Sequence, residues 1–195
     1  MLFANRQIVL ASASPRRLEI LRQIGIEPAL CPVEAAEYKT LTESMDAEAL
    51  VSANAALKAR AAAPRYPNAV VLGADTVVVL DNTLYGKPAH KAEARDMLRS
   101  LSGKTHRVYT GICLIDTKKG QSIGGADICE VAFHHLSDPE IEAYLDTGEP
   151  LDKAGAYGIQ GKGALLVEKI NGDYYTVMGL SLSLLRRLSR VLERA

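Results

Sequence analysis

Between Ala69 and Leu80 the chain reads Ala-Val-Val-Leu-Gly-Ala-Asp-Thr-Val-Val-Val-Leu, an apolar stretch broken only at Asp75 and Thr76. So many β-branched residues in a row predict a central strand, buried on both faces and in need of flanking helices. The Gly73-Ala74-Asp75-Thr76 segment is expected to interrupt it. Aspartate is disfavoured inside such a strand, and burying an unpaired carboxylate costs on the order of several kcal/mol. Asp75 is therefore expected at a cleft or against a cation, with a capped turn or bulge as the plain alternative. Ligands of α/β sheets gather where strands open into crevices, which favours the cleft.

The elements around this strand follow from periodicity and punctuation. Ile8-Val9-Leu10-Ala11 reads as a buried strand that runs into Ser12-Ala13-Ser14-Pro15-Arg16-Arg17. There Ser14 is expected to cap a helix with Pro15 in its first turn, continued by Leu18, Leu21 and Ile24 and stopped by Gly25. Ser44 to about Ala63 reads as a helix with Ala47, Leu50, Val51, Leu57 and Ala61 on or near one face, and Asn54 as the one polar break in it. Asp81-Asn82 turns the central strand into a short return near Leu84-Tyr85. Lys91 to Leu101 is a helix closed by Gly103. Arg107 to Asp116 and Ala126 to Leu136 alternate as strands, and Ser137-Asp138-Pro139-Glu140 opens a helix to about Thr147 with a capping box. Gly148 to Gly163, with five glycines and one proline, predicts loops and tight turns pinned by Leu151, Tyr157 and Ile159. Ala164 to Ile170, Asn171-Gly172 and Tyr174 to Val177 form an expected hairpin, and Leu180 to Leu192 a closing helix. Early strand–helix alternation with later hairpins predicts an α/β fold on a mixed sheet, as a single domain over residues 1–195.

Charge and cysteine usage narrow the function. Lys+Arg and Asp+Glu number 23 each, so there is no basic excess to hold nucleic acid, and only two phenylalanines and eight tyrosines are available for stacking. No apolar run approaches a membrane span, and Met1 to Arg6 lacks the charged start and apolar middle of a leader, so a cytoplasmic protein without membrane association is expected. Cys31, Cys113 and Cys129 are too few and too dispersed for a disulfide framework or zinc site and read as buried thiols. His134 and His135, neighbours on an expected strand, would face opposite ways, while His90 and His106 have no partner at ligand spacing. Walker-type, G-x-G-x-x-G and G-x-S-x-G patterns are absent.

Four clusters carry chemistry. Ser12, Ser14, Arg16 and Arg17 bring hydroxyls, guanidinium forks and free N–H groups to a helix N-terminus, a setting that attracts phosphate; a capped helix with solvated arginines is the plain alternative. Asp75 and Thr76 form the second. Gly86-Lys87-Pro88 fixes a turn around the mobile charge of Lys87, and alone it is an ordinary surface turn, just as Lys58 alone is an ordinary helix lysine. Leu151 to Gly161 places Lys153 and Gln160 among glycines that allow close backbone approach, against the alternative of a flexible loop.

In order and spacing, Ser12-x-Ser14-Pro15-Arg16-Arg17, Gly73-Ala74-Asp75-Thr76, Gly86-Lys87-Pro88 and Asp152-Lys153-Ala154-Gly155-Ala156-Tyr157-Gly158-Ile159-Gln160-Gly161 resemble the Maf family, from Leu10 to Gly179-Leu180. That family comprises nucleoside triphosphate pyrophosphatases, also known as septum-formation inhibitors. The resemblance implies a fold similar to the inosine triphosphate pyrophosphatases, with two lobes around a cleft, a divalent metal (Mg²⁺ or Mn²⁺), a cytoplasmic homodimer, and a nucleoside triphosphate as substrate. Arg16, Thr76 and Gln160 are similar to the base-selecting residues of the dTTP/UTP branch; the 7-methyl-GTP branch carries a tryptophan near the first motif, and this chain has none. A glutamine amide both donates to and accepts from a uracil or thymine edge.

Two positions depart from the family pattern. An acidic pair is reduced to Glu37 beside Ala36, with Glu34 as a possible replacement, and Gly-Leu-Pro-Leu becomes Gly179-Leu180-Ser181-Leu182, which predicts a looser entry to the last helix. The resemblance implies that Arg16, Arg17, Lys58, Lys87 and Lys153 surround the triphosphate. Asp75 is then the general base or, with Glu37, a metal ligand, and water attacks the α-phosphorus. The competing readings are a house-cleaning pyrophosphatase for other non-standard nucleotides, such as 7-methyl-GTP, and a nucleotide-binding regulator of septum formation with little turnover.

Overall fold

The structure, a computed structural model, describes residues 2–3 and 6–194; Met1, Ala4 and Asn5 of the segment read for a leader lie outside them. The elements run β1 (Gln7–Leu10), α1 (Pro15–Gln23), β2 (Ala29–Leu30), α2 (Ala47–Ala62), β3 (Ala69–Leu80), β4 (Thr83–Tyr85), α3 (Lys91–Leu101), β5 (Thr105–Asp116), β6 (Gln121–Phe133), α4 (Asp138–Leu145), β7 (Val167–Asn171), α5 (Tyr174–Met178) and α6 (Leu182–Arg194). They build one mixed sheet in the order β2-β1-β3-β5-β6-β7, with β4 folded back onto the end of β3. β2, β1 and β3 are parallel and the remaining pairs antiparallel. Among the described residues, no helix is long and apolar enough to cross a membrane.

β3 runs unbroken from Ala69 to Leu80, so Gly73-Ala74-Asp75-Thr76 does not interrupt it. The interruption is in its neighbours. β1 pairs only with Ala69 to Leu72, and β4 only with Val78 to Leu80. Between them one edge of β3 has no partner strand, and the sheet opens beside Asp75 and Thr76. Alternation along β3 sends the two side chains to opposite faces. Ile8, Leu10, Val70, Leu72 and Ala74 pack with α1 and α6, whereas Val9, Val71 and Cys113 pack with α2. A second core of Val78, Leu80, Leu98, Val108, Phe133, Ile141 and Tyr157 lies toward α3 and α4, which gives the two lobes.

Gly73 serves packing rather than a turn. A Cβ there would stand 2.1 Å from the Ala55 carbonyl oxygen, and one on Gly111 in β5 2.3 Å from that of Val51. The α2 backbone therefore lies directly on the sheet. Its buried face is Leu50, Val51, Asn54, Ala55, Ala59 and Ala62; Ala61 is exposed, and Ser44 precedes the helix, which Asp46 caps by accepting from the Ala49 N–H at 2.8 Å. Gly73→Ala is expected to destabilise the fold by about 3 kcal/mol, the upper end of overpacking costs, because backbone rather than a flexible side chain must yield. Urea denaturation measures it, and an unchanged midpoint would show that α2 is free to lift off β3.

Other expectations are corrected by hydrogen bonding. Ser14 occupies the N-cap of α1 but its side chain caps nothing; Ser12 Oγ instead accepts from the Ser14 N–H at 3.1 Å. β6 begins at Gln121 rather than Ala126 because β5 pairs with it along its whole length, and it ends at Phe133, so His134 and His135 lie beyond the strand. Tyr174 to Val177 is helix, not the second arm of a hairpin: Asp173 accepts from the Tyr175 N–H at 2.9 Å and starts a turn. Leu151 is exposed rather than an anchor. The Leu180-Ser181-Leu182 junction is tight, since Ser181 is buried, its Oγ accepts from the Leu184 N–H at 3.0 Å, and it donates to Asp127 at 2.6 Å. A serine N-cap thus does the work expected of proline. The three cysteines are free and buried.

Candidate active site

The opening beside β3 continues into a cleft of about 900 Å³. Ser14, Arg16, Arg17, Glu37, Lys58, Asp75, Thr76, Lys87, Lys153 and Gln160 all line it, from six separate stretches of chain. Ser12 stands behind this wall, as a support for Arg17. Glu34 is exposed and outside the lining.

Asp75 is 7% exposed and held on both oxygens. Lys58 Nζ donates to Oδ1 at 2.7 Å, and Asn54 Nδ2 to Oδ2 at 2.9 Å. Lys58 also lies 3.1 Å from Glu37 Oε2, so one ammonium bridges two carboxylates. Lys58 is thus neither a solvated helix lysine nor a free phosphate ligand. Asn54, the polar break in the α2 face, is the residue whose role the sequence reading missed. Besides Asp75, its amide donates to the Tyr38 carbonyl at 2.9 Å and accepts from the Tyr38 N–H at 2.8 Å. One side chain therefore registers the Glu37-bearing loop against β3.

On the opposite face Arg17, 9% exposed, makes a three-way junction. Nε donates to the Gly179 carbonyl at 2.8 Å, Nη1 to Ser12 Oγ at 3.0 Å and Nη2 to Thr76 Oγ1 at 3.1 Å. Thr76 Oγ1 lies 2.9 Å from Thr110 Oγ1, which donates to the Thr176 carbonyl at 2.8 Å. Among the described residues no carboxylate comes within 4 Å of the Arg17 guanidinium. Burial pulls its pKa below the usual guanidinium value; the more distant charges of Asp75 and Glu37 offset only part of this, and neighbouring Arg16 adds to the lowering. All its present partners are neutral oxygens, and each terminal nitrogen retains a second N–H.

Arg16 and Lys153 are ordered by one acid. Asp152 accepts from Arg16 at 2.8 Å and from Lys153 at 2.5 Å, and Lys153 also donates to the Glu149 carbonyl at 2.6 Å. Burial works against ionisation of Asp152, but the two cations hold its pKa below the usual carboxylate value. This contact joins the start of α1 to the glycine-rich segment across the cleft mouth. Lys87 is exposed and has no ion pair among the described residues.

A divalent cation fits the Asp75–Glu37 pair, because both carboxylates already converge on a positive charge. Among the described residues no cluster of three or more ligating side chains exists, so phosphate oxygens and water would complete the shell, as Mg²⁺ prefers.

The chain is 44% identical over 188 residues to a dTTP/UTP pyrophosphatase of Dictyoglomus thermophilum, covering 94% of this chain and 97% of that one. It is 49% identical over 177 residues to a dTTP/UTP pyrophosphatase of Symbiobacterium thermophilum, covering 91% and 89%. Its fold is similar to that of a HAM1 protein from Coxiella burnetii, with a TM-score of 0.50 at 19% identity over 97% of this chain and 100% of that one. The family described as Maf-like protein matches residues 7–192, and the chain belongs to that family.

Proposed function

We propose that this protein hydrolyses dTTP and UTP to the nucleoside monophosphate and pyrophosphate. The observation that carries the reading is Arg17: a guanidinium buried in a cleft wall, bonded only to neutral oxygens, with N–H groups to spare. A cation desolvated without a counter-charge is costly, and an anionic ligand relieves that cost. The triphosphate brings several negative charges, which Arg17 and Lys87 can meet directly and Arg16 and Lys153 by exchanging Asp152 for phosphate. The relatives named dTTP/UTP pyrophosphatase supply the base preference, and Gln160 and Thr76 line the same cleft.

In the proposed reaction a water oxygen attacks the α-phosphorus, the bond to the bridging oxygen of the β-phosphate breaks, and pyrophosphate leaves. Asp75 receives the water's proton, its carboxylate aimed by Asn54 and Lys58. Asp75 and Glu37 would hold Mg²⁺ or Mn²⁺, which lends Lewis-acid charge to the phosphate oxygens when bound. Positioning and charge stabilisation do most of the work in such transfers. The reading carries with it a cytoplasmic homodimer.

Incubation with dTTP, UTP, methylated pyrimidine triphosphates, 7-methyl-GTP and ITP, with Mg²⁺ or Mn²⁺, tests it. Monophosphate and pyrophosphate are expected, with the highest kcat/KM on dTTP and UTP. Preference for 7-methyl-GTP or ITP would assign the house-cleaning role, and nucleotide binding without pyrophosphate release would make the protein a regulator.

A further inference from the structure

The glycine-rich segment after α4 presents Lys153 and Gln160 to the cleft, yet has little regular structure of its own. It passes through three short 3-10 turns, at Glu149–Asp152, Ala154–Ala156 and Gly161–Leu166. Gly155 and Ala156 take φ of +69° and +59°, the second an uncommon value for a residue with a side chain. Such a conformation persists only when the surroundings hold it. Part of the hold comes from the Gly155 N–H, which donates to the Gly86 carbonyl at 3.0 Å, and from Tyr144 Oη, which accepts from the Gly158 N–H at 3.2 Å. A further anchor, alongside the Arg16–Asp152 pair, is Tyr157, which lines the cleft with part of its surface and reaches into the second core.

Tyr157 Oη lies 2.7 Å from Nε2 of His106, a β5 residue 1% exposed. Their rings and that of Phe133 meet edge to face, with centroids 4.6 to 5.3 Å apart. Burial lowers the His106 pKa to about 4, so the ring is neutral at physiological pH. His106 Nδ1 is buried without a hydrogen-bond partner among the described residues. If Nε2–H donated, both Nδ1 and the Tyr157 proton would lack partners. If the Tyr157 hydroxyl donates to Nε2, only Nδ1–H does, and that arrangement is the cheaper one.

An apolar residue at position 106 would remove the orphaned Nδ1 but leave the buried Tyr157 hydroxyl without the partner that His106 gives it. A buried imidazole with half its capacity unused is poor economy for stability alone, and what it provides is a directional hold on the Tyr157 hydroxyl. We infer that His106 is a positioning residue for nucleotide binding, fixing through Tyr157 the segment that aims Lys153 and Gln160 into the cleft. This inference rests on the roles proposed above for those two side chains.

Tyr157→Phe removes one oxygen, His106→Phe fills the site without a hydrogen bond, and His106→Gln restores a neutral acceptor. The measurements are KM and kcat for dTTP per folded protein, Tm, and hydrogen exchange of the amides of residues 153–160. Each phenylalanine variant is expected to raise KM about tenfold, an energy within the range of one buried hydrogen bond, while kcat stays within about threefold. Exchange across 153–160 should quicken, the double variant should be no worse than either single one, and His106→Gln should recover most of the lost affinity. A fall in Tm with KM and exchange unchanged, or additive KM effects in the double variant, would overturn the inference. Should His106→Phe fail to fold, Tyr157→Phe decides. If the unmodified protein hydrolyses neither dTTP nor UTP, the functional reading fails by itself, and the exchange rates still judge the role of His106.

Discussion

Asp75→Asn is expected to cut turnover of dTTP by about 10²–10⁴-fold, the usual worth of a positioned base, and to leave KM within about threefold. The geometry makes this substitution unusually diagnostic. Asp75 accepts from a donor on each oxygen, Lys58 at 2.7 Å and Asn54 at 2.9 Å. An asparagine has one acceptor and must turn its NH₂ toward either the ammonium or the other amide. Asn54 cannot flip to oblige, because it would lose both its bonds to the Tyr38 backbone. A stability loss of about 1–3 kcal/mol, the cost of an unmatched buried donor, should therefore accompany the loss of turnover. Pyrophosphate release gives kcat and KM, and a urea titration gives stability. Near-full turnover in a folded Asp75→Asn protein would remove Asp75 from the base role.

What the chain discloses before folding depends on how local the determining interactions are. β3 and α3 are legible to the residue because a Val-rich run and a run between His90 and Gly103 carry their own boundaries. Tyr174–Met178 is misread because Tyr, Thr and Val favour strands, while the deciding interactions are one Asp173 cap and the Thr110 bond to the Thr176 carbonyl across 66 residues. Gly124 and Gly125 hide the first part of β6 in the same way, since its pairing with β5 overrides a weak local preference. In the site, residue types and their order are readable, but pairings are not. Arg16 and Asp152 are separated by 136 positions, so the sequence reads Arg16 as available for phosphate where the fold pairs it with Asp152. Asn54 is visible as an amide on an apolar face, but its meaning comes only from Asp75, 21 positions on. The sign of the cleft is affected too. Lys58, Arg16 and Lys153 already have carboxylate partners, so a triphosphate meets a network it must rearrange rather than a ring of free cations.

Arg17 stands apart from that network, which is why its removal should be the other large effect. Arg17→Met keeps the length and volume of the stem and deletes the fork. Two unused N–H groups facing a phosphate, at about 1.5–3 kcal/mol for each charge-assisted bond, predict a fall in kcat/KM for dTTP of about 10²–10⁴-fold, carried mostly by KM. Stability should change far less. The variant loses three bonds, to Gly179, Ser12 and Thr76, worth about 1 kcal/mol apiece, and it also sheds a buried cation whose desolvation costs several kcal/mol. Opposing contributions of that size leave the unfolding free energy within about 2 kcal/mol of the original. A structural strut would give the reverse pattern, with stability collapsing and the surviving folded protein binding dTTP normally. Arg17→Lys separates charge from geometry: it restores the cation without the fork, so it should recover part of the affinity and none of the three-way junction. Steady-state kinetics and urea unfolding on the three proteins tell these cases apart, and a KM for Arg17→Met within threefold of the original would mean that the triphosphate does not lie against α1.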